Sequence, residues 1–148
     1  MKLEPGTLVA LDTAPLIYLI EQHAEYAEPV RLFIDACMNK EVSLVTSMIT
    51  YIEVLTHPVR LGRHDLAARY RNFLTNSERL SICPLNIQVA DACIRLRAKY
   101  GFRTPDAIQL AAATTCGASC FLTNDSNLKC CAEIAVVLVS ELRSTLNG

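Results

Sequence analysis

Five short apolar runs punctuate the chain: Leu8–Leu11, Val42–Val45, Leu80–Cys83, Ser119–Leu122 and Ala135–Val139. Runs this short, bounded by turn residues, fit strands buried on both faces. The stretches between them have a helical period. Alternation of this kind predicts an α/β domain, with a mostly parallel five-stranded sheet and helices on both faces. Right-handed crossovers would join the strands. A chain of 148 residues, half of them hydrophobic, suffices for one such core and too little for two. We therefore expect a single domain over 1–148.

The helical stretches carry their own start and stop signals. After the first strand, Asp12 or Thr13 can cap a helix with Pro15 in its first turn. Glu28–Asn39 places Val30, Phe33, Ile34 and Cys37 on one face. Thr46 and Ser47 offer a cap for Met48–Thr56, which His57-Pro58 should close. On that helix Ile49, Ile52, Glu53 and Thr56 share a face, so Glu53 is expected to point inward. A further helix covers Asp65–Leu74. Asn86 caps a long one that ends at Tyr100, with Gly101 in the stop position. Thr104 then reads as the N-cap of the next helix, Pro105 as its first residue and Asp106 as a first-turn acid facing the dipole. The rest of that helix, Ala107–Ala113, is almost wholly apolar. Its burial would set Asp106 at the mouth of a core element.

In open parallel sheets, ligands bind beyond the carboxyl ends of the strands. Asp12 lies just past the first strand and Asp125 just past the fourth. Glu53 lies in the first helix after the second strand, and Asp106 at a helix start. Each acid alone has an ordinary explanation as a cap, a turn residue or a half-exposed helix residue. Together they need a compensating charge. Two carboxylates 5 Å apart repel by roughly 3 kcal/mol at an effective dielectric near 20, so protons or a cation must offset them. Oxygen donors without nearby His or Cys suit a hard cation, Mg²⁺ or Mn²⁺. Such an ion serves phosphoryl chemistry.

At these residues the chain resembles the PIN-domain nucleases, particularly the toxin branch of the VapC type. The matching pieces are Leu11-Asp12-Thr13, Thr50-Tyr51-Ile52-Glu53-Val54-Leu55, Arg103-Thr104-Pro105-Asp106-Ala107-Ile108 and Phe121-Leu122-Thr123-Asn124-Asp125. The last two together are quite specific. The resemblance implies that Asp12, Glu53, Asp106 and Asp125 hold one or two Mg²⁺ or Mn²⁺ ions and catalyse hydrolysis of an RNA phosphodiester. It implies that Thr13 and Thr123 orient carboxylates or water, with Asn124 as a further polar neighbour. It also implies a small antitoxin protein as partner, and a homodimer.

The totals exclude other classes. A net charge of −1 provides no global field for nucleic acid or a membrane surface. Any RNA contact must come from local cations. Arg60, Arg63, Arg69, Arg71 and Arg79 form one basic run, and Arg95, Arg97, Lys99 and Arg103 a second. Arg103, three residues before Asp106, is the expected RNA contact. With no Trp, four Phe and five Tyr, a base-stacking platform is not expected. No run reaches the roughly 20 apolar residues of a membrane span. The start does not read as a signal peptide, so a cytoplasmic protein is expected. Seven cysteines, an odd number, argue against a disulfide framework. The paired Cys-x-x-Cys spacing of zinc sites is missing, and we expect small buried hydrophobes instead.

Three enzyme classes lack their signatures. A phosphatase of the haloacid dehalogenase type wants a second Asp two residues after the first; Ala14 stands there. A receiver domain wants an adjacent acidic pair and a later Lys. Glycine-rich phosphate loops are missing. The alternative that stays open is a non-catalytic scaffold binding RNA or a protein.

Overall fold

The structure, a computed structural model, describes residues 2–145. Strand β1 (Leu8–Leu11) leads into helices α1 (Thr13–Ile20) and α2 (Ala27–Asn39). Strand β2 (Ser43–Ser47) is followed by α3 (Met48–Arg60) and α4 (His64–Asn76). Strand β3 (Leu80–Cys83) precedes the pair α5 (Ile87–Tyr100) and α6 (Thr104–Thr115). Strand β4 (Cys120–Thr123), a 3-10 turn over Ser126–Cys130 and β5 (Ala135–Leu138) follow, and the short helix α7 (Leu142–Thr145) comes last.

All five strands are parallel, in the order β3-β2-β1-β4-β5. The chain builds outward from β1 to β2 and β3, then returns across β1 to place β4 on its other side. That reversal puts the topological switch point between the carboxyl ends of β1 and β4. Side chains alternate across the sheet. Val9, Leu11, Leu44, Cys120 and Leu122 pack against α1 to α4 and α7. Ala10, Val45, Cys83 and Phe121 face α5, α6 and the 3-10 turn. The central strands are covered on both faces, hence their unbroken apolar runs.

Several boundaries differ from the sequence reading, each for a local reason. Helix α3 passes through Pro58 to Arg60. Pro58 stands in the last turn, where its missing N–H costs one bond only, and its ring is buried in the core. The exposed carbonyls are then met by Leu61 N–H on His57 and Arg63 N–H on Pro58. The inward face of α3 is Thr50, Val54, Leu55 and Pro58, while Ile52 is 54% exposed. Glu53 consequently sits on an exposed rim and not inside. Helix α6 begins at Thr104, because the Arg103 carbonyl accepts from Ala107 N–H at 3.0 Å. Arg103 is thus the cap residue, without a side-chain capping bond, and Thr104 and Pro105 are the first two helical residues. Strands β2 and β4 run past Val45 and Leu122 to Ser47 and Thr123. That extension matters, since it turns Ser47 and Thr123 into strand-end groups of the site. Strand β5 stops at Leu138, and Val139 enters a second 3-10 turn.

Candidate active site

Asp12 is the pivot of the site. Its backbone N–H donates to the Leu122 carbonyl at 2.9 Å, which locks the end of β1 to β4. The Thr46 hydroxyl, on β2, donates to the Leu11 carbonyl at 2.8 Å and fixes the same end from the other side. As N-cap of α1, Asp12 accepts through Oδ1 from Thr13 N–H at 2.8 Å. Its Oδ2 accepts from the Thr123 hydroxyl at 2.7 Å. Thr123 is fully buried, and its Oγ1 also accepts from Asp125 N–H at 3.1 Å. One hydroxyl therefore couples two acids across the switch point. Asp125 in turn caps the 3-10 turn by accepting from Asn127 N–H at 3.0 Å.

The other two acids converge on Asp12 electrostatically. Burial pushes the Asp12 carboxyl above its ordinary range, its two hydrogen bonds pull it back, and the charges of Asp106 and Asp125 raise it again. Glu53 is also raised, first by desolvation and then by Asp12 and Asp106, while Thr13 and Arg103 act in the opposite direction. Asp106 and Asp125 thus act on Asp12 through their charge, and Asp12 and Asp106 act on Glu53. Asp106 is 23% exposed and accepts from Arg103 Nε at 3.3 Å. Among the described residues, no three His, Cys, Asp or Glu side chains stand within closing distance of a single ion. Asp106 is engaged by Arg103, and Asp125 by its own turn.

The donor set nevertheless fits Mg²⁺ or Mn²⁺. It is all carboxylate, it contains no soft ligand, and the burial of Asp12 penalises the anionic form that a cation would restore. Mg²⁺ keeps several waters and takes only one or two direct carboxylates, so a fully closed protein cage is not required.

The remaining predicted residues divide. Thr13 and Thr123 lie where the sequence places them, next to the acids. Asn124 does not join the cluster; its amide donates to the Tyr18 hydroxyl at 3.1 Å. Phe33, on the shared face of α2, is fully buried. Much of the basic surface has local partners: Arg63 pairs with Asp65, Arg79 with Glu41 and Lys99 with Glu133. Arg69 donates to the Ile20 carbonyl and Arg97 to the Phe102 carbonyl. Arg60 and Arg71 line a groove with Tyr51, Ile52, Leu55 and Val59, beside Glu53 in sequence. Among the described cysteines, Cys37, Cys83, Cys93, Cys120 and Cys131 are buried thiols, while Cys116 and Cys130 are exposed. Burial pushes the Cys37 and Cys83 thiols up to about 12, which suits inert core residues.

Sequence reasoning missed Gln109, Ser47 and Thr50. Gln109 is 4% exposed and donates through Nε2 to Thr13 Oγ1 at 3.0 Å and Thr50 Oγ1 at 2.8 Å. The Ser47 hydroxyl donates to Gln109 Oε1 at 2.6 Å, and Ser47 also caps α3 by accepting from Ile49 N–H at 3.1 Å. The available signal was the single polar side chain within Ala107–Ala113.

A PIN domain family model matches residues 9–134 of this chain. The chain belongs to the PIN domain family. No curated protein matches it in sequence. Its fold is similar to that of VapBC2 from Rickettsia felis, solved bound to a DNA fragment from their promoter. The TM-score there is 0.75 at 16% identity, covering 89% of this chain and 98% of that one. A toxin–antitoxin complex from Klebsiella pneumoniae matches at TM-score 0.67 and 23% identity, covering 88% and 97%. VapC20 from Mycobacterium tuberculosis, a Sarcin-Ricin loop cleaving toxin, matches at TM-score 0.67 and 14% identity, covering 82% and 93%. Identities this low carry the fold and no more. Among the described residues no helix is long and apolar enough to cross a membrane.

Proposed function

We propose that this PIN domain is a metal-dependent endoribonuclease and the toxin of a type II toxin–antitoxin pair. The observation that supports the reading best is the seating of Asp12 at the end of β1, where the Thr123 hydroxyl on β4 binds both its carboxylate and the Asp125 backbone. Asp12, Glu53, Asp106 and Asp125 would hold Mg²⁺ or Mn²⁺. When bound, the ion supplies Lewis acidity and charge neutralisation for hydrolysis of an RNA phosphodiester. The chain's own residues prepare the place. Thr123 holds Asp12 and the Asp125 backbone in register. Thr13 gives its N–H to Asp12, and its hydroxyl is held by Gln109 and Thr50. Arg103, 82% exposed and three residues from Asp106, is the cation best placed to receive a phosphate at the mouth.

A small antitoxin belongs to the same reading, supported by the toxin–antitoxin context of the similar structures, and the family resemblance alone adds a homodimer and a cytoplasmic setting. One observation favours the alternative of a non-catalytic RNA- or protein-binding scaffold: Asp106 already has a cation, Arg103. Cleavage decides between them. We expect the protein to cut RNA with Mg²⁺ or Mn²⁺, to stop with chelator, and to lose activity in Asp12→Asn and Asp106→Asn. Cleavage that survives chelator and both substitutions would overturn the mechanism. Failure of wild type to cut any RNA, with no thermal shift on adding metal, would favour the scaffold.

A further inference from the structure

Aromatic residues are few in this chain, but the fold gathers Tyr18, His23 and Tyr26 at one turn. Tyr18 lies in α1, His23 in the turn that follows, and Tyr26 at the start of α2. The His23 and Tyr26 rings are stacked, with 18° between their planes and 5.0 Å between their centroids. Tyr18 is tilted against both, at 4.8 Å from His23 and 5.0 Å from Tyr26. The backbone holds this arrangement. His23 N–H donates to the Tyr18 carbonyl at 2.9 Å, and the His23 carbonyl accepts from Ala27 N–H at 3.1 Å. The imidazole Nδ1 accepts from the N–H groups of Glu25 and Tyr26, each at 3.2 Å. The orientation of the ring is therefore set before any ligand arrives.

The three rings are joined to the acidic site. Asn124 stands between Thr123, whose hydroxyl binds Asp12, and Asp125, and its amide donates to the Tyr18 hydroxyl at 3.1 Å. Helical side chains lean toward the helix start, and α1 starts at Asp12, so Tyr18 leans back toward the acids. Tyr18 and Tyr26 are half-buried, whereas His23 is exposed. Rings that served the core alone would be covered; here the ring held by two backbone donors faces solvent. The turn also carries Glu21 and Glu25, with Glu21 accepting from the Tyr70 hydroxyl and Arg69 donating to the Ile20 carbonyl. A polyanion gains little from charge at such a turn. What the turn offers is a flat, fixed surface, and every base has a face that can stack on one.

We propose that Tyr18, His23 and Tyr26 form a base-stacking subsite beside the acids, with His23 as the ring on which one base of the bound RNA strand rests. This inference rests on the ribonuclease reading above.

The test compares two fluorescein-labelled probes of equal length and charge: an oligoadenylate of about ten nucleotides and the corresponding abasic ribose-phosphate oligomer. Binding is followed by fluorescence anisotropy in chelator. His23→Asn removes the ring and keeps an acceptor at the position of Nδ1. It should weaken oligoadenylate binding about tenfold, as for one lost stacked base, with the same salt slope as wild type, and leave the abasic oligomer unchanged. Equal losses on both probes, or no loss on either, would overturn the inference. So would a wild type that cuts RNA with metal but binds the two probes equally. A wild type that binds neither probe and cuts no RNA removes the ribonuclease reading and this inference together. Should His23→Asn not fold, Tyr26→Leu removes the ring stacked on His23 and must show the same selective loss.

Discussion

Removing the charge of Asp106 should stabilise the metal-free protein. In Asp106→Asn, the lost attractions are small. The ion pair with Arg103 is formed at 3.3 Å, but Arg103 is 82% exposed, and such pairs contribute about 0.5 kcal/mol. The dipole of α6 adds about 0.3–1 kcal/mol for an acid in the first turn. Against these stands repulsion from Asp12 and Glu53, both of which feel Asp106. Like charges about 7 Å apart repel by roughly 2 kcal/mol at an effective dielectric near 20, which sets an upper bound for each pair. Solvent at the exposed Glu53 reduces the sum to about 2–3 kcal/mol. The variant should therefore gain about 1 kcal/mol, a rise in Tm of about 2–4 °C for a domain of this size. Scanning calorimetry in chelator, checked by urea unfolding, measures it. With Mn²⁺ at a hundred times its Kd, wild type should gain about 2.7 kcal/mol and the variant much less. A metal-free Asp106→Asn protein less stable than wild type by 1 kcal/mol or more would refute this reasoning and make Asp106 chiefly a helix-start residue.

Other consequences can be measured on the same protein. Glu53 and Asp12 have raised carboxyl pKa values, so the folded state holds their protons more tightly than the unfolded chain. Their contribution to stability is present below the ordinary carboxylate range and is lost as pH rises through the raised values. In chelator, the Tm of Glu53→Gln relative to wild type should accordingly climb with pH from about 4 upward; a flat or falling difference would contradict the shift. Ser47→Ala removes the α3 cap and leaves Gln109 Oε1 unpaired. We expect a loss of about 2–3 kcal/mol in urea unfolding, and a loss under 0.5 kcal/mol would show that the amide finds another partner. Arg103→Ala should raise KM for RNA more than it lowers kcat and reduce the salt slope of binding by about 1. An unchanged slope would remove Arg103 from the RNA contact.

Much of this architecture is legible in the sequence because the fold is a parallel sheet. The central strands are buried on both faces, so Leu8–Leu11 and Phe121–Leu122 read as plain apolar runs. Asn86, Ser47 and Gly101 signal helix ends through groups that act locally, and they act as expected. The acids Asp12 and Asp125 follow from the same logic, since a residue just past a strand end must lie on the ligand edge. What escaped depends on neighbours distant in sequence. The rotation of α3 is set by its packing on the sheet and α4, which turned Thr50 inward and Glu53 to the rim. Pro58 resembled a helix stop until its place in the final turn was known. Gln109 owes its role to Ser47, 62 positions away, and Thr13, 96 away, and nothing local reveals that. Asn124 fits the family motif but is held by Tyr18, 106 residues upstream.

The most direct test of the central claim is anomalous diffraction at the manganese edge from crystals of the protein soaked in Mn²⁺. The account predicts a peak among Asp12, Glu53, Asp106 and Asp125, within about 2.0–2.6 Å of carboxylate oxygens, that disappears in Asp12→Asn crystals. A soaked wild-type crystal with no peak there, or with manganese bound only elsewhere, would contradict it.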